Sequence, residues 1–175
     1  KMNAEKLEKI SLLCKSLNLI YVVRDKNNEN NNLKYFENFF NEVTFMDNGL
    51  EALKAFDKNE FSVVITDIEI PDFNGFDLIE KIKSIDKDIV TIIYTSNEDK
   101  ENFFKTIQLK IDGYLMPPFN ENNFLEIIYR ASESCKDKKL QIEKKKKNLK
   151  IQKQYTDLVD KSAIISKTDK DGIIT

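Results

Sequence analysis

Five short runs of apolar, β-rich residues recur along the chain: Leu19–Val23, Val43–Met46, Phe61–Ile65, Ile89–Tyr94 and Gly113–Met116. Between them the apolar positions switch to helical spacing. Tyr35, Phe36, Phe39 and Phe40 form one such set, and Leu50 to Asp57 reads as a second helix. Phe76, Leu78, Ile79, Ile82 and Ile85 mark a third, and Phe103, Phe104, Ile107 and Leu109 are the apolar set of a helix over 98–110. Ahead of the first run, Leu7, Ile10, Leu13, Cys14 and Leu17 predict a short amphipathic helix within residues 1–17. The Asn-rich stretch from Asn27 to Asn32 reads as loop. Strands alternating with helices predict an α/β fold, a doubly wound five-stranded parallel sheet with helices on both faces.

A last helix opens near Asn120 and shows no stop until about residue 160. From Ile128 it keeps an apolar residue at every seventh position: Ile128, Cys135, Ile142 and Leu149. The companion positions Ala131, Lys138, Lys145 and Gln152 are mostly polar, whereas a strict heptad seam wants both apolar. Residues 131–160 are therefore either a solvated helical linker or a weak parallel coiled coil in a homodimer. Beyond them, Ala163–Ser166 is strand-like, Asp169–Gly172 has turn composition, and Ile173-Ile174 opens another strand.

Composition bounds the chemistry. The chain has 175 residues, 41% of them hydrophobic and 33% charged, enough for one domain core with a remainder. Its formal net charge of −2 hides a run over 136–153, where nine lysines face only Asp137 and Glu143. Such a run can meet nucleic acid or an anionic membrane. The face of a long solvated helix is the preferred reading, since no recognition helix is visible. There is no histidine, which excludes a Ser-His-Asp triad, a Cys-His pair and any His-ligated metal. Cys14 and Cys135 lie in no metal-ligand spacing. No apolar run reaches the ~20 residues of a membrane span, and the start lacks the regions of a signal peptide. Lys1 ahead of Met2 reads as a vector remnant, and the expected location is cytoplasmic.

The candidate chemistry gathers at the carboxyl ends of the runs. Asp25 follows the first, Asp67 the third, Thr95-Ser96 the fourth, and Tyr114 lies in the fifth. In a doubly wound sheet these ends meet in one crevice. Two carboxylates there suit Mg²⁺, a hydroxyl opposite can hydrogen-bond a phosphoryl oxygen, and a carboxylate can be a nucleophile that forms an aspartyl phosphate.

These residues carry a resemblance over residues 18–130. Val22-Val-Arg-Asp25, Asp47-Asn-Gly-Leu-Glu-Ala-Leu53, Thr66-Asp-Ile-Glu-Ile-Pro71 with Gly75, Tyr94-Thr-Ser96 and Gly113-Tyr-Leu-Met-Pro-Pro-Phe119 are similar, in order and spacing, to the response-regulator receiver domain. The resemblance implies a flavodoxin-like receiver fold with a long C-terminal helical extension. It makes Asp67 the phosphoacceptor, and Asp25, Asp67 and the backbone carbonyl of Glu69 the ligands of Mg²⁺. Thr95 becomes the switch hydroxyl and Tyr114 the aromatic that turns inward with it. Residues 161–175 resemble the opening of a PAS sensor domain, so the chain reads as a piece of a longer protein.

Two positions depart from the receiver pattern. Arg24 stands where the family usually has a second acid, and Pro117 where it has a lysine that pairs with the phosphoryl oxygens. Arg24 can pair with Asp67 or Asp25 and weaken Mg²⁺ binding. It can instead point outward, with Glu69 restoring the missing negative charge, or bind phosphoryl oxygens in place of the lysine. The implied function is a phosphorelay module that takes a phosphoryl group from a sensor histidine kinase or phosphotransfer protein and signals through its C-terminal helix. The alternative is a degenerate receiver, a phosphorylation-independent dimerisation or protein-interaction domain. An aspartate-nucleophile hydrolase wants Asp where Glu69 stands, and a nucleotide enzyme wants a Gly-rich loop, so no enzyme activity is expected of this chain.

Overall fold

The structure, a computed structural model, describes residues 3–25 and 30–171. In chain order its elements are α1 (Ala4–Cys14), β1 (Asn18–Val22), α2 (Asn30–Phe39), β2 (Glu42–Met46), α3 (Gly49–Lys58) and β3 (Val63–Thr66). They continue with β4 (Glu69–Ile70), β5 (Phe73–Asn74), α4 (Gly75–Ile85), β6 (Val90–Tyr94), α5 (Lys100–Gln108), β7 (Gly113–Leu115) and α6 (Glu121–Asp171). Short polar side chains start most of the helices. Asn3, Asn48, Asn74 and Asp99 each accept a hydrogen bond from the first-turn backbone of α1, α3, α4 and α5, at 2.8–3.1 Å. Such a cap satisfies an amide that the helix itself leaves unpaired.

Five strands form one parallel sheet in the order β2-β1-β3-β6-β7. Every residue of β3 and β6 is buried. That is why these strands read as continuous apolar runs rather than alternating ones: a parallel sheet is covered on both faces. One face carries Ile20, Val22 and Val64 against Ala52 and Phe56 of α3 and Leu78 and Ile82 of α4. The other carries an aromatic cluster in which Tyr21 meets Phe36 at 5.2 Å, and Phe36 meets Phe124 of α6 at 5.3 Å. The fold class expected from the pattern is the one found.

Two compact units emerge, Lys1–Ser132 and Glu133–Thr175. Within the first, α1 buries Ile10 and Cys14, and Lys6 Nζ reaches Glu126 at 2.9 Å while lying over the Tyr129 ring. Burial pushes the Cys14 thiol up to about 12, so it is packing rather than chemistry. The second unit is helical through Asp171, with Leu149, Tyr155 and Leu158 exposed. Among the described residues no helix is long and apolar enough to cross a membrane.

Three expectations are corrected. Asn30 to Asn32 are the first turn of α2, not loop; residues 26–29 lie outside the described residues. On α5 the buried side chain is Thr106, while Phe103, Phe104 and Ile107 are more than half exposed. Thr106 tolerates burial because its hydroxyl donates to Asn102 O at 2.8 Å, and Lys83 Nζ holds the helix end by donating to Leu109 O at 3.0 Å. Finally, Ala163–Ser166 and Asp169–Asp171 continue α6 and form neither strand nor turn. The PAS-like resemblance leaned on that strand, and the described backbone does not carry it. The remainder of that expected segment, residues 172–175, lies outside the described residues.

Phe124 is fully buried among Tyr35, Phe36, Phe39, Phe40 and Phe119. Phe124→Ala is expected to cost about 3–5 kcal/mol, read as a lower urea midpoint.

Candidate functional site

Parallel register sets the site. Val22, Thr66, Ile93 and Tyr114 lie in one row across β1, β3, β6 and β7. The residues just past that row, Arg24-Asp25, Asp67 and Thr95, therefore emerge at the same carboxyl edge. The strand order reverses between β1 and β3, which is where open α/β sheets take their ligands. Asp25 and Asp67 flank that switch point.

The backbone of Asp67 is fixed on several sides. Its N–H donates to Val22 O at 3.0 Å, and Thr66 Oγ1 donates to Asp67 O at 2.9 Å. Behind it, Gly75 N–H donates to Ile68 O at 2.8 Å, and a Cβ on Gly75 would stand 2.0 Å from Asp67 O. The turn that makes this approach possible is the β4-β5 hairpin, where Pro71 precedes Asp72 at φ 63°. Proline followed by a left-handed residue is the order of a type II turn. The Asp67 side chain is half-buried, and Oδ1 accepts from Ile68 N–H at 2.6 Å.

Thr95 is buried, and its hydroxyl accepts from Asn97 N–H at 3.3 Å. That contact uses a lone pair and leaves the hydroxyl proton for another acceptor. Tyr114 is half-buried and its hydroxyl donates to Asn97 O at 2.6 Å. Asn97 is thus gripped through its N–H by Thr95 and through its C=O by Tyr114, while its Oδ1 accepts from Asp99 N–H, the cap of α5, at 3.0 Å. The sequence reading missed Asn97. Its signal was the Asn-x-Asp spacing ahead of a helix, an Asx-turn leading into an N-cap.

Arg24 does not lie on Asp67. Its guanidinium is 3.8 Å from Glu69 Oε2, with the two side chains 64% and 65% exposed. An ion pair so long and so wet contributes at most about 1 kcal/mol. Arg24 points outward, and the charge of Glu69 is matched there rather than added to the pocket. Asp25 is exposed at the rim, as is Pro117, whose peptide bond to Pro118 is cis. Pro117 offers no charge and no donor.

Asp25, Asp67 and the Glu69 carbonyl are hard oxygen donors. Among the described residues no group of three or more His, Cys, Asp or Glu side chains is placed to hold a metal ion. A cation here would draw on two carboxylates and backbone oxygen. Mg²⁺ is commonly held by one or two carboxylates while keeping several waters, so these residues fit it.

A family model described as the response regulator receiver domain matches residues 20–129. The chain belongs to that family. CheY-3 of Vibrio cholerae is 30% identical over 96 residues, covering 54% of this chain and 74% of that protein. The probable transcriptional regulator ycf29 of Porphyra purpurea is 33% identical over 100 residues. The match covers 54% of this chain and 48% of that relative, so the chain spans about half of its length. The solved receiver domain from Clostridium thermocellum is 26% identical with a TM-score of 0.62, covering 71% of this chain and 98% of that one. The receiver match begins at Ile20, so α1 lies outside it.

Two outcomes test this geometry. Burial, then the charges of Asp67 and Glu98, raise the Tyr114 phenol above its ordinary range. Asp67→Asn removes one of those charges, so the Tyr114 titration should move down in tyrosine-labelled NMR spectra recorded across alkaline pH. Gly75→Ala would ordinarily favour a helix. Here the methyl meets the Asp67 carbonyl, so we expect a loss of about 1–3 kcal/mol in urea unfolding.

Proposed function

We propose that this receiver domain is a phosphoacceptor switch, with Asp67 as the nucleophile. The observation that carries the reading is the carboxylate of Asp67 at the β1/β3 switch point, on a backbone held by Val22, Thr66 and Gly75. Oδ1 is engaged by Ile68 N–H, so attack on phosphorus falls to Oδ2. Asp25, Asp67 and the Glu69 carbonyl would hold Mg²⁺. When bound, that cation would offset the charge of the incoming phosphoryl oxygens.

The Thr95 hydroxyl supplies a donor toward the new phosphoryl group. Drawing it inward gives up the 3.3 Å contact with Asn97 N–H. Asn97 is also the partner of the Tyr114 hydroxyl and of the α5 cap, so a shift at Thr95 reaches β7 and α5 together. The donor would be a sensor histidine kinase or phosphotransfer protein. The reading extends to a cytoplasmic regulatory module with no reaction of its own beyond phosphoryl transfer. It signals through α6 to a further module, with pairing of α6 into a homodimer as one means.

Acetyl phosphate with Mg²⁺ should add one phosphoryl mass to the intact protein. Asp67→Asn and metal chelation should each abolish the gain. No gain on wild type overturns the phosphoacceptor reading in favour of a phosphorylation-independent interaction domain.

A further inference from the structure

We propose that Arg24 is a phosphoryl-binding residue, parked on Glu69 until Asp67 carries its phosphoryl group. The inference rests on the phosphoacceptor reading above.

Position comes first. Arg24 stands two residues beyond the end of β1, and Asp67 N–H is bonded to that strand's last residue, Val22, at 3.0 Å. The loop bearing Arg24 therefore begins beside the nucleophile's own peptide. Glu69, two residues past Asp67, holds the guanidinium at 3.8 Å, beyond hydrogen-bond length. Arg24 is thus carried on the loop that leaves this strand end, and only lightly held.

Charge decides the direction of movement. The acyl phosphate of Asp67 carries about two negative charges in place of the carboxylate's one, with three strong acceptor oxygens. Glu69 offers one charge in a solvent-exposed setting. A guanidinium within reach of both prefers the phosphoryl group, whose oxygens match its planar fork.

Two other cations among the described residues are engaged elsewhere. Lys83 donates to the carbonyls of Leu109 and Lys110, and Lys105 lies over the Phe76 ring. Pro117 contributes no charge.

In the transfer step, Asp67 Oδ2 forms a bond to phosphorus as the phosphorus–oxygen bond to acetate breaks. Acetate leaves with the electron pair. Arg24 contacts the non-bridging oxygens and neither gains nor loses a proton.

The test is acetyl phosphate labelling with Mg²⁺, followed by intact mass for both labelling rate and decay of the label. It compares wild type, Arg24→Ala, Arg24→Lys, Glu69→Gln and the double variant Arg24→Ala/Glu69→Gln. Arg24→Ala should slow labelling roughly ten- to hundred-fold, and Arg24→Lys should recover part of the rate. Glu69→Gln should speed labelling on the wild-type background and do nothing on the Arg24→Ala background, because its effect runs through Arg24. All four should unfold at the wild-type urea midpoint.

Equal or faster labelling of Arg24→Ala overturns the proposal while leaving Asp67 as phosphoacceptor. So does a Glu69→Gln effect that survives without Arg24. Absence of label on wild type overturns the proposal together with the phosphoacceptor reading.

Discussion

The peptide of Asp67 is the fixed point of the molecule. Its N–H belongs to the sheet through Val22, its carbonyl takes the Thr66 hydroxyl, and the Gly75 backbone stands so close that a side chain has no room. Each contact comes from a different element, and each element is pinned elsewhere. β1 and β3 are buried on both faces. α4 is started by Asn74 and anchored by Leu78, Ile79 and Ile82, all fully buried. If Asp67 acts as the proposed nucleophile, such a backbone would leave little further ordering to be done when a phosphoryl donor arrives. The apolar core and the chemistry are thus one construction.

The other half of the site is built differently. Thr95, Asn97 and Tyr114 are joined by two hydrogen bonds through one residue, and the rest of that loop is polar surface. Tyr114 also packs against the core cluster of Ile68, Phe76, Ile79 and Ile93, so this linkage ties the loop to the core. Under the proposed function, the support under Asp67 would hold the chemistry and the linkage through Asn97 would carry the shift.

The inner strands were legible because burial on both faces leaves a mark that local sequence cannot hide. Five β-rich apolar runs could hardly be anything else, and the acids and hydroxyl after them fall at one edge once the strands are parallel. The misreadings arose where tertiary context overrides local pattern. Phe103, Phe104 and Ile107 have the spacing of a buried face, yet Thr106 is the residue turned inward. Which face of a nine-residue helix is buried depends on partners such as Lys83, far away in sequence. Asn30 to Asn32 look like loop because asparagine competes with its own backbone, but they start a helix whose later residues bury Phe36 and Phe40. Ala163–Ser166 has strand-like residues and continues a helix that was already under way, where extension costs far less than a new start. The departures at Arg24 and Pro117 were visible in the sequence, but their consequence was not, because side-chain direction is a property of neighbours.

Arg24 shows why that matters. Counted as a charge, an arginine in place of an acid weakens a cation site. Placed in space, it pairs loosely with Glu69 at the rim rather than with Asp67. Pro117 supplies no charge at this edge. Under the proposed function, phosphorylation would replace the single charge of the Asp67 carboxylate with a phosphoryl group of about two negative charges, and so would call for additional positive charge. As proposed, a guanidinium held only by its long ion pair to Glu69 would supply that charge.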